Sequence, residues 1–164
     1  MIFVTVGTTM PFDELFEEID RLAEENYFDQ EIVCQTGQSN YIPSNCKYFK
    51  FESDLSHYFQ EADFLIVHGG TGSTIEAILS GKPFIAFANP RGADDHQAQF
   101  LSRMSKEYSV IWSRNCKDLT KLYELAISQI NNGHKERNHS LSQAILDLCQ
   151  KKLSILISLG LLFS

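Results

Sequence analysis

The sequence predicts an α/β domain in which helices flank a parallel sheet. Short apolar runs of strand length alternate with longer stretches whose apolar residues recur at helical spacing. Most of the strand-like runs are apolar at nearly every position, which is typical of parallel strands buried on both faces. A glycine-rich turn at 69–72 separates one such run from the helical stretch that follows it. Together these observations favour a Rossmann-like sheet with a right-handed wind.

The first half of the chain begins with a buried strand at 2–6 and an amphipathic helix at 12–25. The helix has an acidic first turn at Asp13, and its apolar side is formed by Leu15, Phe16, Ile19 and Leu22. A second strand is predicted at 31–36. The run 47–51 alternates charged and aromatic residues, as an edge strand with one wet face does. A short helix at 54–61 then leads to the central strand.

The second half begins with that central strand, 64–67, and a helix that starts at Thr71. Ser73 and Thr74 are expected to cap this helix, and Ile75, Ile78 and Leu79 to face the core. Gly81-Lys-Pro83 should end it. The remaining predicted elements are a strand at 84–88, a helix at 94–107, a short strand at 109–112, a helix at 117–131 and a last helix from about 140.

Composition narrows the class of protein. The chain has 164 residues and a net charge of −7, so we expect one domain and no nucleic-acid partner, since a nucleic-acid binder needs a basic face. We divide it into a Rossmann-like domain at 1–140 and a C-terminal helix with an apolar tail at 141–164. The four cysteines, Cys34, Cys46, Cys116 and Cys149, form no CxxC pair, and the histidines lack metal-binding spacing. These features predict a reduced, cytoplasmic protein without a cofactor or a bound metal.

Polar residues follow several predicted strands where each strand ends. Ligands of such sheets bind beyond the carboxyl ends of the strands, where the strand order reverses. If the first strand and the strand at 64–67 are neighbours, the loops converge at one mouth. The candidate binding residues from the first, fourth and fifth strand ends are Gly7, Thr8, Thr9, Gly69, Gly70, Thr71, Gly72, Ser73, Glu76, Asp95, His96 and Gln97.

Three kinds of nucleotide site were compared with this pattern. A P-loop needs a lysine after its glycines, and Gly70-Thr-Gly72 has none. A dinucleotide site needs GxGxxG after the first strand, which here ends in Gly7-Thr-Thr9. A sugar nucleotide fits best, because its diphosphate suits a helix N-terminus and its ribose hydroxyls suit a carboxylate such as Glu76. The group Asp95-His96-Gln97 would then hydrogen-bond the sugar.

The same residues resemble a known family. The pattern His68-Gly-Gly-Thr-Gly-Ser-Thr-Ile-Glu76, Gly81-Lys-Pro83 and Asp95-His96-Gln97 resembles the nucleotide-sugar-binding C-terminal domain of glycosyltransferase family 28. The opening Phe3-Val-Thr-Val-Gly-Thr-Thr9 is similar to that of the small catalytic subunits of two-part N-acetylglucosaminyltransferases of the dolichol pathway. It is more similar still to the bacterial exopolysaccharide and capsule counterparts.

The resemblance implies the donor-binding C-terminal half of a GT-B glycosyltransferase. The donor would be a UDP-sugar, the acceptor a lipid-linked sugar, and the transfer inverting and independent of metal. A separate membrane-anchored subunit would bind the acceptor and hold this chain at the inner face of the membrane. Glu76 would bind the ribose, Gly70–Ser73 the diphosphate with Gly7 and Thr8 alongside, and His96 and Gln97 the sugar.

Several residues keep two interpretations at this stage. His68 is either a general base or a histidine that braces the loop. His96 either contacts the donor or only begins a helix, and Asp94 with Asp95 either favours a helix dipole or binds a metal. Arg91 either meets a phosphate or is solvated.

Two functions remain open, and so does the role of the tail. The chain is either the donor-binding part of an active enzyme or a non-catalytic nucleotide-sugar-binding subunit whose partner carries the chemistry. The apolar segment 153–164 is too short to span a bilayer. It is expected to dock on the membrane-bound partner or on a second copy of the chain, with packing on its own domain as the alternative.

Overall fold

The computed structural model describes residues 1–91 and 95–131. The predicted tail, the last helix and Asp94 lie outside these residues. Within them, strands and helices alternate as predicted, except that the second and third strands follow each other without a helix between them. The strands are β1 (Ile2–Thr5), β2 (Ile32–Gln35), β3 (Lys47–Phe49), β4 (Phe64–His68), β5 (Phe84–Phe87) and β6 (Ile111–Ser113). The α-helices are α1 (Asp13–Glu24), α2 (Ser56–Glu61), α3 (Thr71–Ser80), α4 (His96–Tyr108) and α5 (Leu119–Asn131).

The described strands form one parallel sheet in the order β3-β2-β1-β4-β5-β6. β3 lies at an edge, as its alternating sequence predicts. β1 pairs with β4 in the register Thr5 to Val67. The chain therefore winds outward in both directions from these two central strands, and the order reverses between them.

Two apolar layers hold the helices on the sheet. On one face, α1 packs through Leu15, Phe16 and Ile19, and α5 through Leu119 and Leu122. On the other face, the core includes Phe59 of α2, Ala77 and Ile78 of α3, and Leu101 of α4. Because both faces are covered, the four inner strands β2, β1, β4 and β5 bury nearly every side chain, which explains their continuous apolar runs.

Buried carboxylates fasten the loops to α1. Asp20 accepts hydrogen bonds from the backbone N–H groups of Ser44 (2.9 Å) and Asn45 (2.7 Å) and from the Tyr41 hydroxyl (2.8 Å). Burial alone would raise the pKa of Asp20, but these donors lower it below its ordinary value. The loop before β3 is therefore fixed to the side of α1.

Four details of the local predictions were wrong. The N-cap of α3 is Gly70, and neither Ser73 nor Thr74 caps the helix through its side chain, because both lie inside its first turn. Leu79 is exposed, whereas Ile78 is buried and Ile75 packs against the core as predicted.

The other two concern element boundaries. β6 begins at Ile111, not 109, because α4 runs on to Tyr108 and Ser109 ends it in the left-handed conformation (φ 57°). β3 ends at Phe49, two residues earlier than predicted. The predicted stop of α3 is confirmed, since Gly81 is its left-handed C-cap with φ 67°.

Candidate functional site: a cleft beside the glycine-rich turn

The candidate site lies at the carboxyl ends of β1 and β4. Gly7 follows β1, and His68 is the last residue of β4, directly before the turn that starts α3. The parallel pairing of β1 with β4 brings these ends together. This is the point at which the strand order reverses, where sheets of this kind bind ligands.

The imidazole of His68 lies in a slot between two glycines. A Cβ added to Gly70 would stand 2.2 Å from Nε2 of His68, and one added to Gly7 would stand 2.7 Å from its Cε1. Gly7 also has a left-handed backbone, with φ +73°. The ring therefore braces the β1 loop against the β4 turn.

The environment of His68 favours a neutral ring. Burial lowers its pKa from 6.5 to about 4, and its Nδ1 has no hydrogen-bond partner among the described residues. At neutral pH the imidazole is uncharged. The ring lines none of the three cavities described below, and with this pKa it is a weak general base.

A cavity of about 400 Å³ opens beside this slot. Gly72, Ser73 and Glu76 of α3 line one side, and Gly7 and Thr8 line another. The predicted proximity of Glu76 to the β1 loop is thus present in the structure. The N-terminus of α3, whose Gly70 cap provides no side-chain hydrogen bond, leaves backbone N–H donors at the same place.

The opposite wall of this cavity comes from residues that the sequence analysis did not single out. They belong to the segment 51–56, which follows β3 and includes the first residue of α2, and to the floor residue Gln35. The ring of Phe51 is 67% exposed and also lines a neighbouring cavity of about 320 Å³. The order of the strands identifies this segment, because β3 ends on the same edge as β1 and β4.

The floor of the cleft is held by close contacts between loops. The Thr5 hydroxyl hydrogen-bonds Oε1 of the buried Gln35. A Cβ added to Gly37 would stand 2.2 Å from the carbonyl oxygen of Gly7. The β1 and β2 loops therefore touch through backbone atoms.

A smaller cavity, of about 180 Å³, lies between the end of β5 and the start of α4. Asn89, Asp95 and Gln97 line it. Oε1 of Gln97 accepts a hydrogen bond from the Asn89 backbone N–H at 2.8 Å. A Cβ added to Gly69 would be 3.3 Å from Cβ of Gln97, so the glycine turn packs against the helix that carries Gln97.

The other predicted site residues occupy different positions. Thr9, Thr71 and His96 are exposed and line neither the larger nor the smaller cavity. Asp95 forms a bidentate ion pair with Arg114, and this pair lowers the pKa of Asp95. Sequence reasoning did not identify Arg114, and its only signal is that it directly follows β6.

Arg91 forms ion pairs that neither of its two interpretations anticipated. Its guanidinium pairs with Glu14 at 2.9 Å and reaches Asp13 at 3.5 Å. Asn89 donates from Nδ2 to the carbonyl oxygen of Pro11 at 2.8 Å. The loop after β5 is thereby fastened to the start of α1.

The described residues contain neither a metal-binding cluster nor a membrane-spanning helix. Within 1–91 and 95–131 no group of three or more His, Cys, Asp or Glu side chains is placed to hold a metal ion. In that part of the chain no helix is both long and apolar enough to cross a bilayer.

Comparison with known proteins gives a consistent result. The family model of the glycosyltransferase family 28 C-terminal domain matches residues 1–156. The UDP-N-acetylglucosamine transferase subunit ALG13 of Homo sapiens is 26% identical over 132 residues, which are 73% of this chain and 11% of that protein.

A bacterial relative and a solved structure agree with this match. The UDP-N-acetylglucosamine--N-acetylmuramyl-(pentapeptide) pyrophosphoryl-undecaprenol N-acetylglucosamine transferase of Bacteroides fragilis is 28% identical over 108 residues, covering 66% of this chain and 28% of that protein. The calicheamicin glycosyltransferase CalG4 superimposes with a TM-score of 0.63 at 18% identity, covering 96% of this chain and 43% of that one. The chain thus spans about a tenth of its human relative, and the predicted fold, that of a GT-B C-terminal half, is confirmed.

Proposed function

We propose a function for this chain, which belongs to the glycosyltransferase family 28 C-terminal domains. It is the donor-binding subunit of a UDP-sugar-dependent glycosyltransferase. The transfer would be inverting and would pass a hexose or N-acetylhexosamine from the UDP-sugar to a lipid-linked acceptor. The main supporting observation is the arrangement of two cavities on either side of the glycine-rich turn.

The larger cavity has the size and lining for the nucleoside. Glu76 stands on its α3 side and offers carboxylate oxygens to ribose hydroxyls. The exposed ring of Phe51 stands on the opposite side, where a nucleobase can stack on it. The protein thus has a polar contact for the ribose and an aromatic surface for the base in one cavity.

The turn between the cavities suits a diphosphate. Gly70 and Gly72 keep side chains away from it, and the first N–H groups of α3 are uncapped by side chains. A helix N-terminus of this kind attracts anions through its donors and its dipole. The neutral imidazole of His68, next to Gly70, adds no charge there.

The smaller cavity would then receive the sugar. Gln97 connects it to the turn through its packing against Gly69. Its amide and the carboxylate of Asp95 give a hydrogen-bond donor and an acceptor of the kind that sugar hydroxyls require. Base, diphosphate and sugar would thus occupy successive positions along the cleft.

A second polypeptide is expected to complete the active site. The residues described here correspond to one half of a GT-B fold, since the chain covers 43% of the CalG4 glycosyltransferase with which it superimposes. The relatives named above include a transferase subunit and an enzyme acting on a pyrophosphoryl lipid. We infer a membrane-anchored acceptor-binding partner that keeps this chain at the cytoplasmic face, and UDP-N-acetylglucosamine as the first donor to test.

The low pKa of His68 favours a second candidate function. Since a ring with a pKa of about 4 is a weak base, the chain would bind the donor while the partner supplies the general base. In that case the chain is a non-catalytic subunit, and His68 only braces the cleft.

A reconstitution experiment tests the proposal and separates the two candidates. Transfer from UDP-N-acetylglucosamine to a polyprenyl-diphosphate sugar is measured with the chain alone, its membrane partner alone, and both together. The proposal predicts turnover only with both, and no loss on chelation of divalent metals. Absence of turnover with any UDP-sugar would contradict it. His68→Gln in the complex then decides about this residue: turnover retained at saturating donor excludes His68 as the general base.

A further inference from the structure

An ion pair stands at the edge of the smaller cavity. Nη2 of Arg114 donates to Oδ2 of Asp95 at 2.7 Å, and Nη1 contacts Oδ1. The two parallel contacts fix the plane of the carboxylate as well as its position. The pair joins the residue after β6 to the N-terminus of α4, and both residues line the cavity.

Stability of the fold does not explain the pair well. The side chains of Arg114 and Asp95 are 59% and 49% exposed. Ion pairs with such exposure contribute little to stability, because water screens the charges and the side chains lose freedom. The bidentate geometry of the pair therefore points to a role in the cavity that it borders.

The other polar groups of the cavity are also held in fixed orientations. Asn89 donates from its backbone N–H to Oε1 of Gln97, so the amide nitrogen of Gln97 is the atom left to serve a ligand as donor. The side chain of Asn89 is itself engaged by Pro11 and by the backbone N–H of Arg91. The cavity thus presents a donor at Gln97 and an acceptor at Asp95.

Arg114 leaves part of the Asp95 carboxylate free for a ligand. Its two contacts fix the carboxylate but leave oxygen lone pairs for hydroxyl groups. The smaller cavity therefore keeps an oriented acceptor for a sugar hydroxyl.

We propose that Arg114 is a positioning residue for the sugar moiety of the donor, acting through Asp95. The proposal rests on the proposed function and deepens it. Arg114 holds the Asp95 carboxylate as an acceptor for a sugar hydroxyl, so its effect is confined to ligands that carry the sugar. UDP alone, which does not enter the smaller cavity, is indifferent to it.

Calorimetry on the full chain tests this assignment with two probes, UDP and UDP-N-acetylglucosamine. In Arg114→Gln, affinity for the UDP-sugar is expected to fall about tenfold, the loss of one well-oriented hydrogen bond, while affinity for UDP is unchanged. Arg103→Gln is the matched control. Arg103 pairs with Glu107 at 3.1 Å further along α4, is exposed, and lines no cavity described above. It should leave both affinities unchanged.

A double-mutant cycle distinguishes an action through Asp95 from a structural effect. If Arg114 acts through Asp95, Arg114→Gln adds no further loss of UDP-sugar affinity in an Asp95→Ala background. Arg114→Lys, which keeps the charge without the bidentate geometry, should restore only part of the affinity.

Each outcome of these titrations has a definite meaning. The positioning role alone is overturned if Arg114→Gln binds the UDP-sugar as tightly as the wild type. It is also overturned if Arg114→Gln causes the same loss of affinity in the Asp95→Ala background as in the wild type. Failure of the wild-type chain to bind UDP overturns the proposed donor site and this inference with it.

Discussion

The slot around His68 shows how single residues determine the cleft. The imidazole fills the space between Gly7 and Gly70, and neither position leaves room for a side chain. Gly72, two residues further on, meets no atom within 4 Å if a Cβ is added. Gly70 and Gly72 therefore have different functions in the same turn, and the structure is needed to distinguish them.

Alanine substitutions at Gly70 and Gly72 should give opposite results. In Gly70→Ala the Cβ collides with the imidazole, and we expect a loss of about 1–3 kcal/mol in the free energy of unfolding. Gly72→Ala lies in α3 and should be neutral or stabilise by up to about 1 kcal/mol, since alanine favours a helix. Urea unfolding measures the free energy of unfolding of both variants. Equal stabilities would contradict the close packing of the His68 ring against Gly70.

Protonation of His68 gives a second prediction at this scale. Burial lowers the pKa of the folded state from 6.5 to about 4, so the unfolded chain takes up the proton first. The contribution to stability is complete above pH 6.5 and is lost as the pH falls toward 4. NMR of the ring should therefore show neutral imidazole at about pH 5.5. A midpoint near 6.5 would show that the ring is solvated.

At the scale of elements, the walls of the larger cavity depend on where the loops lie in the fold. The segment 51–56 forms a wall of the larger cavity only because β3 pairs beside β2 at the edge of the sheet. Nothing in its own sequence signals a ligand. Its place follows from a tertiary pairing that propensity does not encode.

Phe51 supplies the test of this wall. Replacing it with alanine should weaken UDP binding about fivefold to a hundredfold, because stacking of a base on an aromatic ring contributes roughly 1–3 kcal/mol. Tyr48 is the control, since it is also exposed, lies on the adjacent β3 and lines none of the cavities described. If calorimetry finds the same UDP affinity for Phe51→Ala and Tyr48→Ala, the base does not stack on this wall.

Helices and strands were predictable where local signals are strong. The acidic first turn of α1 and the glycine end of α3 could be read from sequence and are present in the structure. The N-cap of α3 was misassigned to Ser73 and Thr74 because hydroxyl residues are common caps, whereas here the extended backbone of Gly70 takes that position. Helix ends that depend on one backbone angle, such as Ser109, were likewise missed.

At the scale of the whole molecule, the site follows from the strand order. Reversal between β1 and β4 leaves their carboxyl ends without a covering crossover, and the loops of both meet there. The sequence predicted this convergence on the condition that the first strand and the strand at 64–67 are neighbours, and the pairing of β1 with β4 fulfils that condition. It could not predict Arg114, because its partner Asp95 lies 19 positions earlier and the contact depends on the packing of α4 beside β6.

The central claim is that this cleft binds the nucleotide of a UDP-sugar, and titration of UDP into the full chain tests it most directly. The wild type should bind UDP, and Glu76→Ala should bind it at least about tenfold more weakly, since it loses a hydrogen bond to a charged group. Glu17→Ala, an exposed position on α1 away from the cleft, should bind like the wild type. A wild-type chain that does not bind UDP, or a Glu76→Ala variant with unchanged affinity, would contradict the account.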